Sequence, residues 1–324
     1  MNKRRKIILA LGASALASPL TAYAQTKTWR IGFLLEIKQS YYDARIEAFK
    51  AGMLALGYAE GRNYVIEYRS AENDLARFPA LVAELLALKV DVIVAPSTPP
   101  AVAARNSDVP VLIVTVGDPV GSGLAATLRR PGGNVTGLTG LNTELYTKRL
   151  DLLRQILPGM RRAGFLYSDD NASSIPGLKR FESDCAKLKI TSLRAIARKA
   201  EEIPAAFNFL QREKAQGLIV VPNGTNTAAR ASIIELAAKH RLPAVYSIDI
   251  FAEAGGLISY APNELDMFRR TAAYADKIFK GAKPADLPIE QPAIFEMVLN
   301  LKTAKALGIK IPGSVLVQAT KVMK

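Results

Sequence analysis

The chain has 324 residues, 49% of them hydrophobic and 22% charged, with a formal net charge of +14. That composition excludes a disordered or fibrous protein and suits about two well-cored globular domains. The basic residues are scattered, and their best pairs, Arg129-Arg130 and Arg161-Arg162, flank turns; no nucleic-acid partner is expected, because such a binder gathers its charge on one face or helix.

The amino terminus carries an address. Lys3 to Lys6 form a positive segment, Ile7 to Ala17 a short apolar one, and Ala22-Tyr23-Ala24 a small-x-small site. Together they predict a secretory signal peptide over residues 1–24, cut after Ala24, and a periplasmic location. The apolar run is too short to span a bilayer as a helix, so no stable membrane insertion is expected. Arg4-Arg5 leaves both the twin-arginine and the general export route open.

After the leader, Trp29–Leu35 reads as a buried strand, Glu36–Ser40 as a loop and Tyr42–Leu56 as a helix stopped by Gly57. Tyr64–Tyr68 reads as a strand, Phe78–Leu88 as a helix and Asp91–Ala95 as a third strand. Pro96-Ser97-Thr98-Pro99 then opens a small-residue helix running to about Arg105. Val111–Val116 is an apolar run bounded by Pro110 and Gly117, the pattern of a strand buried on both faces. Gly117-Asp118-Pro119 turns the chain off its end, a short helix is predicted over Ser122–Arg130, and Asn134–Leu138 is extended.

The second half repeats the first at an offset of about 130 residues. Arg30-Ile31-Gly32-Phe33-Leu34 matches Arg162-Ala163-Gly164-Phe165-Leu166. A helix over Gly177–Leu188 and a strand over Ser192–Ile196 follow, and a further helix ends near Lys214. Val90–Thr98 and Gln216–Thr225 are matching strands, each closed by proline and small polar residues. Alternating strands and helices imply a parallel sheet with helices on both faces, so two copies imply two Rossmann-like, doubly wound α/β lobes. The remainder holds a strand at Gly256–Tyr260, a long helix at Leu265–Lys280, a strand at Ile294–Leu299 and a helix at Leu301–Leu307. With Val315–Gln318 this is too little for a third domain, and it is expected to cross between the lobes and complete both. Cys185 is the only cysteine, and its place in FESDCAKLK predicts a buried structural thiol.

Ligands of open α/β sheets sit beyond the carboxyl ends of strands. The polar residues there are Glu36 and Ser40, Ser97 and Thr98, Asp118, Ser168, Asp169 and Asn171, Asn223 and Thr225, and Ser247 to Asp249. Ser97, Thr98 and Thr225 stand at helix starts, which favour a carboxylate; they equally suit plain caps. Asp118 and Asp249 meet an ammonium or hydroxyl, or Asp118 only fixes its turn. Tyr41, Tyr42 and Tyr246 offer rings for stacking, or pack. No cofactor or metal is expected: there is no G-x-S-x-G elbow, dinucleotide fingerprint or phosphate loop, and no Cys/His cluster. His240 is expected at the surface near a helix end. A pair among Glu36, Asp118 and Asp249 keeps acid/base chemistry open.

GDPVGSGL…RPGGNVTGL, from Gly117 to Leu138, closely resembles ABC-transporter substrate-binding proteins of the TrpX-like kind. VLNLKTAKALGIKIP, from Val298 to Pro312, resembles the terminal signature of the same family. The resemblance covers nearly all of the mature chain. It implies a type I periplasmic binding fold, in which two lobes joined by three crossover hinges close on a ligand. On that pattern the first lobe is residues 25–140 plus about 262–285, and the second 141–261 plus about 286–324. It also implies a monomer delivering a small molecule to a membrane permease and its ATPase. Some members bind aromatic amino acids, and the carry-over puts Ser97, Thr98, Asp118, the loop Ser168–Asn171 and the loop Asn223–Thr225 at the ligand. The expected ligand is an amino acid or an aromatic or carboxylated compound. A secreted carboxylate-dependent enzyme and a ligand-sensing module for a membrane receptor are the competing readings.

Overall fold

A computed structural model describes residues 27–324, so the predicted leader lies outside the described residues. Trp29–Leu35 forms β1, and its last five residues are buried, as a strand covered on both faces requires. The chain continues through α1 (Gln39–Ala55), β2 (Tyr64–Ser70), α2 (Phe78–Ala87), β3 (Val92–Ala95), α3 (Thr98–Ala104), β4 (Val111–Val116) and β5 (Val135–Thr139). These strands make a five-stranded parallel sheet in the order β2-β1-β3-β4-β5. The order reverses between β1 and β3, and a crevice opens at the carboxyl ends of strands at such a reversal.

The second sheet repeats this winding. It receives α4 (Asn142–Ile156), β6 (Arg162–Tyr167), α5 (Ser174–Lys187), β7 (Thr191–Ile196), α6 (Ile203–Arg212), β8 (Gly217–Val220), α7 (Gly224–Ala228), α8 (Arg230–Lys239), β9 (Ala244–Tyr246), α9 (Asp249–Glu253) and β10 (Ile258–Pro262). The order β7-β6-β8-β9-β10 reproduces that of the first sheet, with its own reversal between β6 and β8. The chain then returns to the first sheet as α10 (Glu264–Phe279), which packs on α1, β4 and β5. Glu290 still belongs there: its N–H donates to Gly137 O at 2.9 Å and its carbonyl accepts from Thr139 N–H at 2.9 Å. Only then does β11 (Phe295–Asn300) re-enter the second sheet, antiparallel to β10, followed by α11 (Leu301–Leu307), α12 (Gly313–Leu316) and β12 (Lys321–Met323). Strand and helix membership thus passes between sheets at 139–142, 262–264 and 290–295.

Each sheet is covered on both faces by apolar side chains. One face of the first carries Phe33, Phe49, Val114 and Phe268, the other Leu34, Leu85, Ile93 and Ile113. The second sheet has Phe165, Phe181 and Leu299 on one face and Phe207, Leu218 and Phe251 on the other. Each fully buried side chain of this size contributes about 1.5–3 kcal/mol. Cys185 is 1% exposed within this core, and burial pushes its thiol up to about 12.

The helix predicted over Ser122–Arg130 is absent; the segment is a series of turns. Asp118 Oδ1 accepts the Gly121 N–H at 2.7 Å, and Pro119 O accepts from both Leu124 and Ala125. With Gly123 at φ +72°, no helical ladder can start. Conversely, α4 was not anticipated, although its buried Leu145, Tyr146, Arg149, Leu150 and Leu153 recur at helical spacing.

Candidate functional site

The two sheets face each other through their strand ends, and a cavity lies between them. Glu36 and Ile37 reach it from the end of β1, and Ser97 and Thr98 from the end of β3. Opposite them stand Asn171 and Ser173 after β6, Asn223 and Gly224 after β8, and Ser247 and Ile248 after β9. Four aromatic residues complete the lining: Tyr41 and Tyr42 on α1, Tyr146 on α4 and Phe268 on α10. The space open to the centres of water-sized atoms is about 70 Å³, several times what one water needs.

Glu36 is the chemical centre of this cavity. It is 4% exposed. Ser97 Oγ donates to its Oε2 at 2.5 Å, and the Gly224 N–H donates to its Oε1 at 2.9 Å from the other lobe. Two further bonds span the cleft: Asn73 Nδ2 donates to Thr225 Oγ1 at 3.1 Å, and Thr98 Oγ1 lies 3.1 Å from Ser173 Oγ. Burial raises the Glu36 pKa above the ordinary carboxylate value, and the bonds from Ser97 and Gly224 only partly offset it.

The wall formed by α1 and α10 carries an ion pair. Arg45 Nε donates to Glu264 Oε2 at 2.5 Å, and its guanidinium lies 4.1 Å over the Tyr41 ring. Tyr41 donates its hydroxyl to the same Glu264 oxygen at 3.3 Å. The pair neutralises Glu264 and fixes the Tyr41 ring at the cavity. On the opposite side, Arg149 is fully buried. Its Nε donates to Tyr260 O at 2.9 Å and its Nη2 to Asn142 Oδ1 at 3.0 Å. It therefore ties the start of α4 to β10, next to two of the passages between sheets. Burial lowers its pKa to about 10.

Of the residues singled out from sequence, Glu36, Tyr41, Tyr42, Ser97, Thr98, Asn171, Asn223 and Ser247 line this cavity. Ser168 and Thr225 line a neighbouring one. Five do not come together with them. Ser40 is exposed on the first turn of α1. Asp118 spends its carboxylate on the Gly121 turn. Asp169 is held outside by a two-bond pair with Arg198, at 2.7 Å each, which keeps its pKa below the ordinary value. Tyr246 stacks on Phe251 in the second core, ring centres 4.8 Å apart. Asp249 accepts the Ile250 N–H at 2.8 Å; burial first, then nearby Glu264, raises its pKa. Asn142, Tyr146, Ser173, Glu264 and Phe268 were missed. The first two lie on the unanticipated α4, and Glu264 and Phe268 on a helix whose lobe local periodicity does not tell. Among the described residues, no group of three or more His, Cys, Asp or Glu is placed to hold a metal ion.

Residues 31–323 match the family model described as ABC transporter substrate binding protein. The chain belongs to that family. The tyrosine-binding protein of Clostridioides difficile strain R20291 is 24% identical over 298 residues, covering 88% of this chain and 82% of its own. A conserved domain protein from Vibrio cholerae superposes with a TM-score of 0.86 at 27% identity, over 91% of this chain and 100% of that one. An ABC domain from Streptococcus pneumoniae, solved with L-Trp, gives a TM-score of 0.85 at 27% identity, over 92% of this chain and all of that one (100%). The type I periplasmic binding fold of such substrate-binding proteins is the one built here from two repeated windings.

In this substrate-binding protein the Glu36 charge has a cost that a neutral isostere removes. A pKa raised by folding means that stability is greatest below the ordinary carboxylate value and falls as pH rises through the raised one. Glu36→Gln keeps the shape and both bonding partners. Its ligand-free form is expected to melt above the parent at pH 7, with the gap closing as pH falls toward about 4. Melting curves across that range check it; a gap that ignores pH removes the argument.

Proposed function

We propose that this chain is the solute-capturing subunit of an ABC importer, working in the periplasm and binding an aromatic amino acid between its lobes. The observation that carries the reading is the composition of the interlobe cavity. Four aromatic rings surround a buried carboxylate that accepts a backbone N–H from the opposite lobe. The rings suit an aromatic side chain, and Glu36 suits its ammonium, as a charge-assisted bond. Thr98 and Ser173, whose hydroxyls meet across the cleft, supply donors that can turn to the carboxylate. The similarity to tyrosine-binding and L-Trp-bound relatives supports the same ligand class. The lobes are joined where the chain passes between sheets, and rotation there opens and closes the cleft. The ligand drives closure by binding the closed form better than the open one. A membrane permease and its ATPase then receive the ligand, without turnover in this subunit.

Melting curves with Phe, Tyr and Trp test this. A ligand at about a hundred times its dissociation constant stabilises by about 2.7 kcal/mol, which is roughly 5 °C or more in a chain of this size. At least one aromatic amino acid is expected to give that shift, with compaction in solution scattering, while Ala and Leu do not. No shift with any of the three sinks the assignment, and chemical change of the bound compound moves it to an enzyme.

A further inference from the structure

The cleft does not end at Glu36. A second cavity of about 230 Å³ adjoins the first and shares Glu36, Asn171 and Asn223 with it. Its wall has a different chemistry. Asn73, Asp74, Asp170, Arg198 and Lys199 line it, and no aromatic ring does. The inner chamber is therefore built for a ring and the outer one for a polar, charged group.

Asn223 stands on the boundary between them. It is 8% exposed. Its orientation is fixed, because Oδ1 accepts the Asn226 N–H at 2.7 Å. That leaves Nδ2 as a buried donor with no acceptor among the described residues. Such a group costs free energy until an acceptor arrives. Glu36 offers the complementary need on the same boundary, a buried carboxylate that takes donors. A donor and an acceptor side by side match a ligand that presents a carbonyl next to an ammonium. Beyond them, Lys199 makes no ion pair among the described residues, while Arg198 is taken by Asp169.

Resting on the aromatic reading above, we infer that the ligand is a dipeptide whose first residue is aromatic. Its ring occupies the inner chamber and its ammonium meets Glu36. Its peptide carbonyl accepts from Asn223 Nδ2, and its second residue extends into the outer chamber, with the terminal carboxylate toward Lys199. A free amino acid fills only the inner part and leaves the outer chamber to water.

Calorimetric titration of the purified chain with Phe, Phe-Gly and Gly-Phe decides it. Phe-Gly is expected to bind at least about tenfold more tightly than either Phe or Gly-Phe, the worth of one added buried hydrogen bond. Asn223→Ser keeps an acceptor for the cap of α7 and loses the amide donor. It is expected to lose about tenfold for Phe-Gly. Binding of Phe with exclusion of Phe-Gly overturns the dipeptide and leaves the aromatic reading standing. Undiminished binding of Phe-Gly by Asn223→Ser overturns the role of Asn223. Failure of all three ligands, together with Tyr, Trp and their glycyl extensions, overturns both readings. If the serine variant does not fold, the ranking of the three ligands on the parent chain alone decides.

Discussion

Gly224→Ala is expected to weaken ligand binding by about 10- to 100-fold while both lobes stay folded. A Cβ at this position meets Glu36 Oε1 and Asn73 Oδ1, each at 2.5 Å, and both belong to the opposite lobe. The backbone of Gly224 has no positive φ, so alanine is acceptable to α7 itself. The clash therefore exists only when the lobes meet. Overpacking costs about 1–3 kcal/mol, and every 1.4 kcal/mol is tenfold in affinity. Because the cost falls on the closed form alone, it acts on the open–closed equilibrium rather than on folding. Titration gives the affinity, and the ligand-free melting temperature should stay near that of the parent. An alanine variant that binds as the parent does would mean that the lobes of the complex stand further apart than here.

Gly137→Ala should instead damage the first lobe itself. Gly137 lies in the middle of β5 at φ +126°, a conformation that side chains rarely adopt. Its Cβ would come within 2.9 Å of Ile113 N and closer still to the Ile113 carbonyl, backbone that cannot swing away. Gly137 pairs directly with Ile113, just before the register of β4 and β5 shifts. Backbone strain costs about 1–3 kcal/mol and overpacking a similar amount, together about 4 kcal/mol. For a cooperative unit of this size that lowers melting by roughly 8–16 °C. Scanning calorimetry checks it, and a loss under about 3 °C would show that the strand can move apart after all.

The fold was legible because it is written twice. Trp29–Leu35 and Val111–Val116 are apolar runs with clear ends, and each emerged as a strand. The repeated order of strands and helices predicted two lobes, and the two sheets share one winding order. Glu36, Ser97, Asn171 and Asn223 were legible for a related reason: each follows a strand within three or four residues, where the fold must place a ligand. Nearness to a strand end did not decide the rest. Whether Asp118 faced a ligand or its own turn depended on the path of the next few residues, and Gly121 captured it. Tyr246 is the last residue of a three-residue strand, and which face it takes is a matter of parity that local pattern does not reveal. Phe268 and Glu264 sit on a helix flanked by strands of one sheet but packed on the other. Their own periodicity does not announce that crossing, which was expected from the size of the remainder and from the family resemblance.

That crossing has a consequence for how the chain comes to be folded. Residues 29–139 supply every strand of the first sheet, yet Met267, Phe268, Ala272 and Tyr274 of α10 cover one of its apolar faces. A chain synthesised from its amino terminus makes that face more than a hundred residues before it makes its cover. Until Glu264 to Glu290 arrive, the face that holds Phe33, Phe49 and Val114 lacks part of its native cover, and the unfinished lobe is a target for aggregation or for a holding chaperone. The last strands of the second sheet, β11 and β12, follow α10 in the chain, so they too are made late. A cut between the two halves therefore parts the first sheet from the helix that covers one of its faces.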